Sequence, residues 1–291
     1  ITCRDWSSDV CSSDLREAVM SGASLQKVDL EETDFTGADF SSSHFDDCLL
    51  HNARFGQANL HGFVFHQCRL GAVDFTGADL SRGTALGADL RTAVFNNTDL
   101  TKTCFEESLL TGASFPGCRL VMGLWNKAKL SGADFTGLDL TQMSLVGADL
   151  KNAVFRKTTG RYVDLSQADA SGADLTGITW PNSLFKQTNL KEALFTGAFL
   201  EMSVFGEADC RGAVFKDAML HYADFSHALF DRTDFGSARF ELTNMHGANL
   251  NQALIDDSAR RKIRPTDLEL AEAENWCPPK KKRHYHHIHN V

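Results

Sequence analysis

The chain lacks most of the residues and spacings that mark a chemical site. Its 8 cysteines show neither paired nor metal-ligand spacing, which excludes a disulfide framework or a zinc module and points to a reducing, cytoplasmic setting. No stretch approaches the roughly 20 consecutive apolar residues of a membrane span. No Ser-His-Asp or Cys-His grouping and no phosphate loop can be assembled, so no enzyme activity, catalytic residue, metal or cofactor is assigned. Proline occurs 5 times and tyrosine 3 times, whereas phenylalanine occurs 21 times in 291 residues, and an ordinary hydrophobic content of 43% excludes general disorder.

What the chain has instead is a strict period of five. Nearly every fifth residue from Met20 is large and apolar, as in Leu25, Leu30, Phe35, Phe40, Phe45, Leu50, Phe55 and Leu60, and the run reaches Ile255 without insertion or deletion. This phase holds 19 of the 21 Phe. Two residues earlier stands a small residue, such as Ala23, Ala38, Ala53 or Ala78. One residue earlier is often Asp or Asn, and 15 of the 22 Gly fall three residues earlier. A coarser period is visible too. DFTGADF at Asp34, DFTGADL at Asp74, DFTGLDL at Asp134 and DLTGITW at Asp174 are spaced by 40, 60 and 40 residues. All are multiples of twenty, although a period of ten would explain much of the Phe/Leu alternation. On a twenty-residue circuit, Phe35, Phe55, Phe75, Phe95, Phe115 and Phe135 form one column, and Leu50, Leu70, Leu90, Leu110 and Leu130 another.

The pattern A-D-L/F-x-G resembles the pentapeptide-repeat family, A-(D/N)-(L/F)-x-x, over about 240 residues. That resemblance implies an all-β fold: a right-handed quadrilateral parallel β-helix of about twelve coils, four pentapeptides to a coil. The bulky residue and the small one two before it would point inward. Coils spaced at about 4.8 Å would give a solenoid roughly 58 Å long. The lumen would be dry, and a polar group inside it costly unless paired. Cys48, Cys68 and Cys118 occupy the small inward phase, where Cys acts as a small hydrophobe. Cys48 and Cys68 are one coil apart and should stack; a disulfide between them depends on geometry. Irregular residues at Gly160, Ala170, Trp180 and Pro181 predict a distorted coil over 158–181.

Domain boundaries follow the pattern. Asp5 to Leu15, DWSSDVCSSDL, reads like a translated sequencing adapter, so 1–15 is set apart as non-native and the natural chain is expected to start near Arg16, with its own N-terminus missing. Residues 16–259 form the β-helix. Residues 260–279 form a capping segment whose helix starts at a Thr266-Asp267-Leu268-Glu269 capping box and runs to about Trp276, with Leu268, Leu270 and Trp276 covering the last coil. Residues 280–291 form a disordered basic, His-rich tail. His284, His286, His287 and His289 there bind metal at most adventitiously, and His221 and His227 have no third ligand in view.

Three functions are weighed. The first is a non-catalytic scaffold for a protein partner, contacted through outward apolar residues such as Leu49, Val94, Leu109, Val154, Leu194 and Val214. The ending TDLELAEAENW before Pro278 and Pro279 resembles pentapeptide-repeat parts of larger bacterial proteins, including type VI secretion accessory proteins. The second is a mimic of DNA binding gyrase or topoisomerase, carried by an acidic stripe of Asp39, Asp79, Asp99 and Asp139 and a second of Asp34, Asp74, Asp134 and Asp174. Residues 16–259 carry 20 Lys and Arg against 31 Asp and Glu, a net charge of −11, which is about a third of the roughly 34 charges of DNA of that length. The third is a metal-dependent enzyme, which would need a defined ligand set. No direct nucleic-acid binding is expected.

Overall fold

The computed structural model describes residues 14–275. It is a parallel β-helix whose ladder partners are twenty residues apart along most of its length. Three short strands pair in register, β1 (Ser24–Gln26), β2 (His44–Asp46) and β3 (Val64–His66), with Phe45 opposite Leu25 and Phe65. Elsewhere single bridges continue the ladder, from Asp14 to Asp34 at one end and from Asp234 to Leu254 at the other.

Each pentapeptide has a fixed division of labour. At most corners the following amide donates to the carbonyl of the preceding bulky residue, as from Ala38 to Phe35 at 3.0 Å, which closes a four-residue turn. The third residue of that turn has positive φ, and every positive φ among the described residues falls in this one phase. Glycine is favoured there because it has no Cβ to clash in the left-handed region.

The bulky phase fills the lumen. Phe35, Phe55, Phe75, Phe95, Phe115 and Phe135 are buried, as are Leu50, Leu70, Leu90, Leu110 and Leu130. Their rings stack coil on coil, with Phe35 and Phe55 4.8 Å apart and Phe135 and Phe155 4.9 Å apart. Burying each such side chain contributes about 1.5–3 kcal/mol before entropy is counted. Hydroxyls in the small inward phase are paired, which makes them tolerable in a dry shaft. Thr98, Thr188 and Thr243 each donate to a carbonyl 23 residues earlier, at 2.7–2.8 Å.

The structure differs from the sequence expectation at four places. The ladder extends back to Asp14, inside the stretch set apart as non-native. At the other end, the repeat gives way to helix α1 (Asp257–Arg260), yet β5 (Ile263–Arg264) then pairs with β4 (Thr243–Asn244), so the ladder outlasts residue 259. Helix α2 (Leu268–Glu274) is capped by Asp267, whose carboxylate accepts from the Leu270 amide; Leu268 and Leu270 face solvent and do not cover the last coil. Trp276 and the His-rich tail lie outside the described residues.

Finally, 158–181 is not distorted in its ladder. Thr159 pairs with Thr179 and Asp164 with Leu184, and Trp180 is buried one ladder step beyond Gly160, whose own Cβ position is crowded by Val163. The breaks lie elsewhere. Among the described residues, no bridge joins 69 to 89, 94 to 114 or 119 to 139. The first break lies near Phe63, a large ring in a small slot. Its ring sits where a Cβ on Gly83 would fall, 1.9 Å away, and packs 4.5 Å from Phe65. Ala85 replaces the bulky residue above Phe65, so Gly83 and Ala85 together make room for Phe63.

Candidate interaction surface

Because the ladder steps by twenty, every outward position becomes a column of side chains, and each column has its own chemistry. Asp39, Asp79, Asp99 and Asp139 fall in one column, interrupted by Asn59 and Arg119. Their carboxylates are committed locally. Each accepts from the amide two residues on, at 2.9 Å, so these aspartates cap corners. The Asn59 amide donates to Asp39 at 3.0 Å, and Arg119 pairs with Asp99 at 3.2 Å. Asp34, Asp74, Asp134 and Asp174 cap corners in the same way. The Thr36 hydroxyl holds the Asp34 carboxyl below its usual range. Arg54 pairs with Asp34, and Arg156 with Asp174 at 2.5 Å.

The outward apolar residues proposed from sequence are only partly available. Val94 and Leu194 are exposed, but Leu49, Leu109, Val154 and Val214 are half-buried between neighbouring columns.

A different column carries the exposed apolar surface. Met122, Gln142, Tyr162, Asn182, Met202, Tyr222 and Leu242 follow one another at steps of twenty along a single corner. The five large apolar members are 37–55% exposed. All five have positive φ, between 49° and 62°. Bulky side chains are poor occupants of that region, at a cost of about 1–3 kcal/mol each. The other columns of this phase hold glycine, charged, amide or small residues and His227. Leu124 and Leu184 are exposed beside the ridge, and Val204, Phe199 and Met219 are half-buried there. The signal was present in the sequence, but only in every twentieth residue; the period of five averages the four corners together.

The end of the solenoid holds the main polar cluster. Glu274, on α2, reaches His246 Nε2 at 3.2 Å and His227 Nε2 at 3.4 Å, and the two rings meet edge to face. One ligand atom from each residue lies within 4.8 Å of the others, so the structure groups His227 with His246 and Glu274 and not with His221. The hydrogen bonding assigns the trio another role. The Asp267 amide donates to His246 Nδ1 at 3.1 Å, which puts the ring proton on Nε2, facing Glu274. A metal on Nε2 would need that proton moved to Nδ1, against the amide. The His246 bond lowers the pKa of Glu274, and His227 adds to the effect. The trio therefore clamps α2 to the last coils. Among the described residues, no helix is long and apolar enough to cross a membrane.

Comparison with known proteins agrees with this repeat architecture. The chain belongs to the pentapeptide-repeat family: the model of a pentapeptide repeat region matches residues 18–87, and that of pentapeptide repeats in eight copies matches 74–112, 144–177, 200–232 and 220–257. Among solved structures it is similar to HetL, a pentapeptide repeat protein involved in heterocyst differentiation regulation from the cyanobacterium Nostoc sp. strain PCC 7120. Identity is 26%, over 80% of this chain and 87% of that one, with a TM-score of 0.24. It is also similar to full-length QnrB1, a plasmid-mediated fluoroquinolone resistance protein, at 13% identity over 87% and 98% of the two chains, TM-score 0.22. A third likeness is to the pentapeptide repeat protein AT2G44920 from the Arabidopsis thaliana thylakoid lumen, at 26% identity over 42% and 68%, TM-score 0.16. No curated protein sequence matches the chain.

Proposed function

We propose that the protein is a non-catalytic scaffold: a right-handed, four-sided solenoid of about twelve coils that presents the corner from Met122 to Leu242 to a protein partner. The observation that carries this is the concentration of large apolar residues on one corner, in a backbone conformation that disfavours them. Residues kept where they strain the chain and face water are better explained by a contact than by packing. Aromatic residues and Met are also enriched at protein interfaces. The cysteine pattern supports a cytoplasmic setting. The ending TDLELAEAENW supports placing the solenoid in a larger bacterial protein, with type VI secretion accessory proteins as the example. DNA mimicry is disfavoured because the aspartates of both columns are engaged in corner caps and ion pairs.

The test is a pull-down from a bacterial lysate with the wild-type chain and with a Tyr162→Asn, Met202→Asn, Tyr222→Asn variant, Asn being at ease in the left-handed region. Partners retained by the wild type should be lost by the variant while its thermal unfolding midpoint is maintained. Equal capture by both chains would remove the corner as the binding surface.

A further inference from the structure

We propose that Cys48 and Cys68 form a two-thiol modification site that a small, carboxylate-bearing disulfide of the glutathione type oxidises to a disulfide bridging adjacent coils. Three observations converge on this pair. The first is register. The bridges from Asp46 to His66 and from Leu49 to Arg69 flank it, so the two residues sit one above the other in the small inward phase. One ladder step, about 4.8 Å, lies within the roughly 4.4–6.8 Å Cα separation that a disulfide spans. The two thiols also adopt the same pose, each donating to the carbonyl 23 residues earlier, at 3.4 and 3.3 Å.

The second is access. Cys48 is buried, but Cys68 is only half-buried. It lies at the seam where the bridge between 69 and 89 is missing, in a crevice lined by Arg69, Asp89, Arg91 and Thr92. Arg91 forms a two-pronged pair with Asp89, at 2.8 and 2.6 Å. Arg69 has no carboxylate partner among the described residues, which leaves its guanidinium to receive an anionic reagent.

The third is thiol chemistry. The neighbouring sulfur holds the Cys48 ionisation down, to about 7, and pushes that of Cys68 up. Ionisations of two adjacent thiols belong to the pair, so the first negative charge can reside on either sulfur. The other buried thiols behave oppositely: burial pushes Cys118 up to about 11 and raises Cys210 as well. Cys104 has Thr84 and Leu124 as its ladder neighbours, and no second thiol.

The reaction balances. The Cys68 thiolate attacks one sulfur of the small disulfide, breaking its S–S bond and releasing one thiolate. The Cys48 thiolate then attacks Cys68 Sγ and expels the second. Two protein thiols are oxidised, one small disulfide is reduced to two thiols, and the two protons pass to solvent or to the leaving thiolates.

The full chain is incubated with oxidised glutathione near neutral pH and followed by intact mass and peptide mapping. A cross-linked peptide joining Cys48 to Cys68 is expected, forming roughly tenfold faster than any adduct at Cys104 and reversed by dithiothreitol. Cys48→Ala should trap a persistent glutathione adduct on Cys68. Cys68→Ala should leave Cys48 unmodified. Both place alanine in a phase that holds alanine throughout the solenoid, and unfolding midpoints confirm that the fold is retained. Modification of Cys104 as fast as of Cys68, an absence of the 48–68 cross-link, or oxidation of Cys48 in the Cys68→Ala variant would each overturn the proposal.

Discussion

At the scale of single residues, the solenoid is governed by volume in the lumen and by φ at the corners. Phe63 shows how tightly the first is set. It exceeds its slot, and its neighbours one coil on, Gly83 and Ala85, are correspondingly small. Gly83→Ala should therefore destabilise by about 1–3 kcal/mol through overpacking. The same substitution in a Phe63→Ala background should cost little, because the obstructing ring is gone. Denaturant unfolding of the four chains measures this, and an equal cost in both backgrounds would mean that the crowding is relieved elsewhere. The corner residues are legible in a different way. Glycine at a corner says only that φ is positive there. Tyr162 and Tyr222 in the same phase carry more information, because the backbone does not select them.

At the scale of elements, the ladder was readable from the chain and the terminal helices were readable only in part. The period of five survives in the sequence because each residue's role, inward or outward, corner or side, is set within its own pentapeptide. The Asp267 cap falls within the predicted helix start for the same local reason. The docking of α2 was not readable, since it joins Glu274 to His227 and His246 across separate coils. The broken bridges were equally hidden, because the period of five runs through them unchanged. The clamp makes a prediction about pH. The Glu274 carboxyl is lowered in the docked state, so its contribution is complete above the ordinary carboxylate range and is lost as pH falls through its lowered value. Amide exchange over 266–275, taken relative to the intrinsic rate at each pH, should be slow at neutral pH and rise on acidification. It should be fast at both in Glu274→Gln or His246→Ala. Protection that is insensitive to pH and to both substitutions would place the hold on α2 elsewhere.

At the scale of the whole molecule, a continuous core makes the outward columns separate surfaces that share one support. One corner can then carry apolar side chains while the others carry charge, without changing the lumen. The family and its repeat were evident in the sequence. The location of the ridge was not, because it requires reading down a column instead of along the chain. Its role as the contact surface is tested most directly by photo-crosslinking from single positions on two corners. A photoreactive residue at Met202, on the ridge, should give discrete protein adducts in a bacterial lysate. The same residue at Glu192, in the corner phase ten residues away and half a circuit round the coil, should give few or none. Adducts of equal yield and identity from both positions, or from Glu192 alone, would contradict the assignment of the ridge.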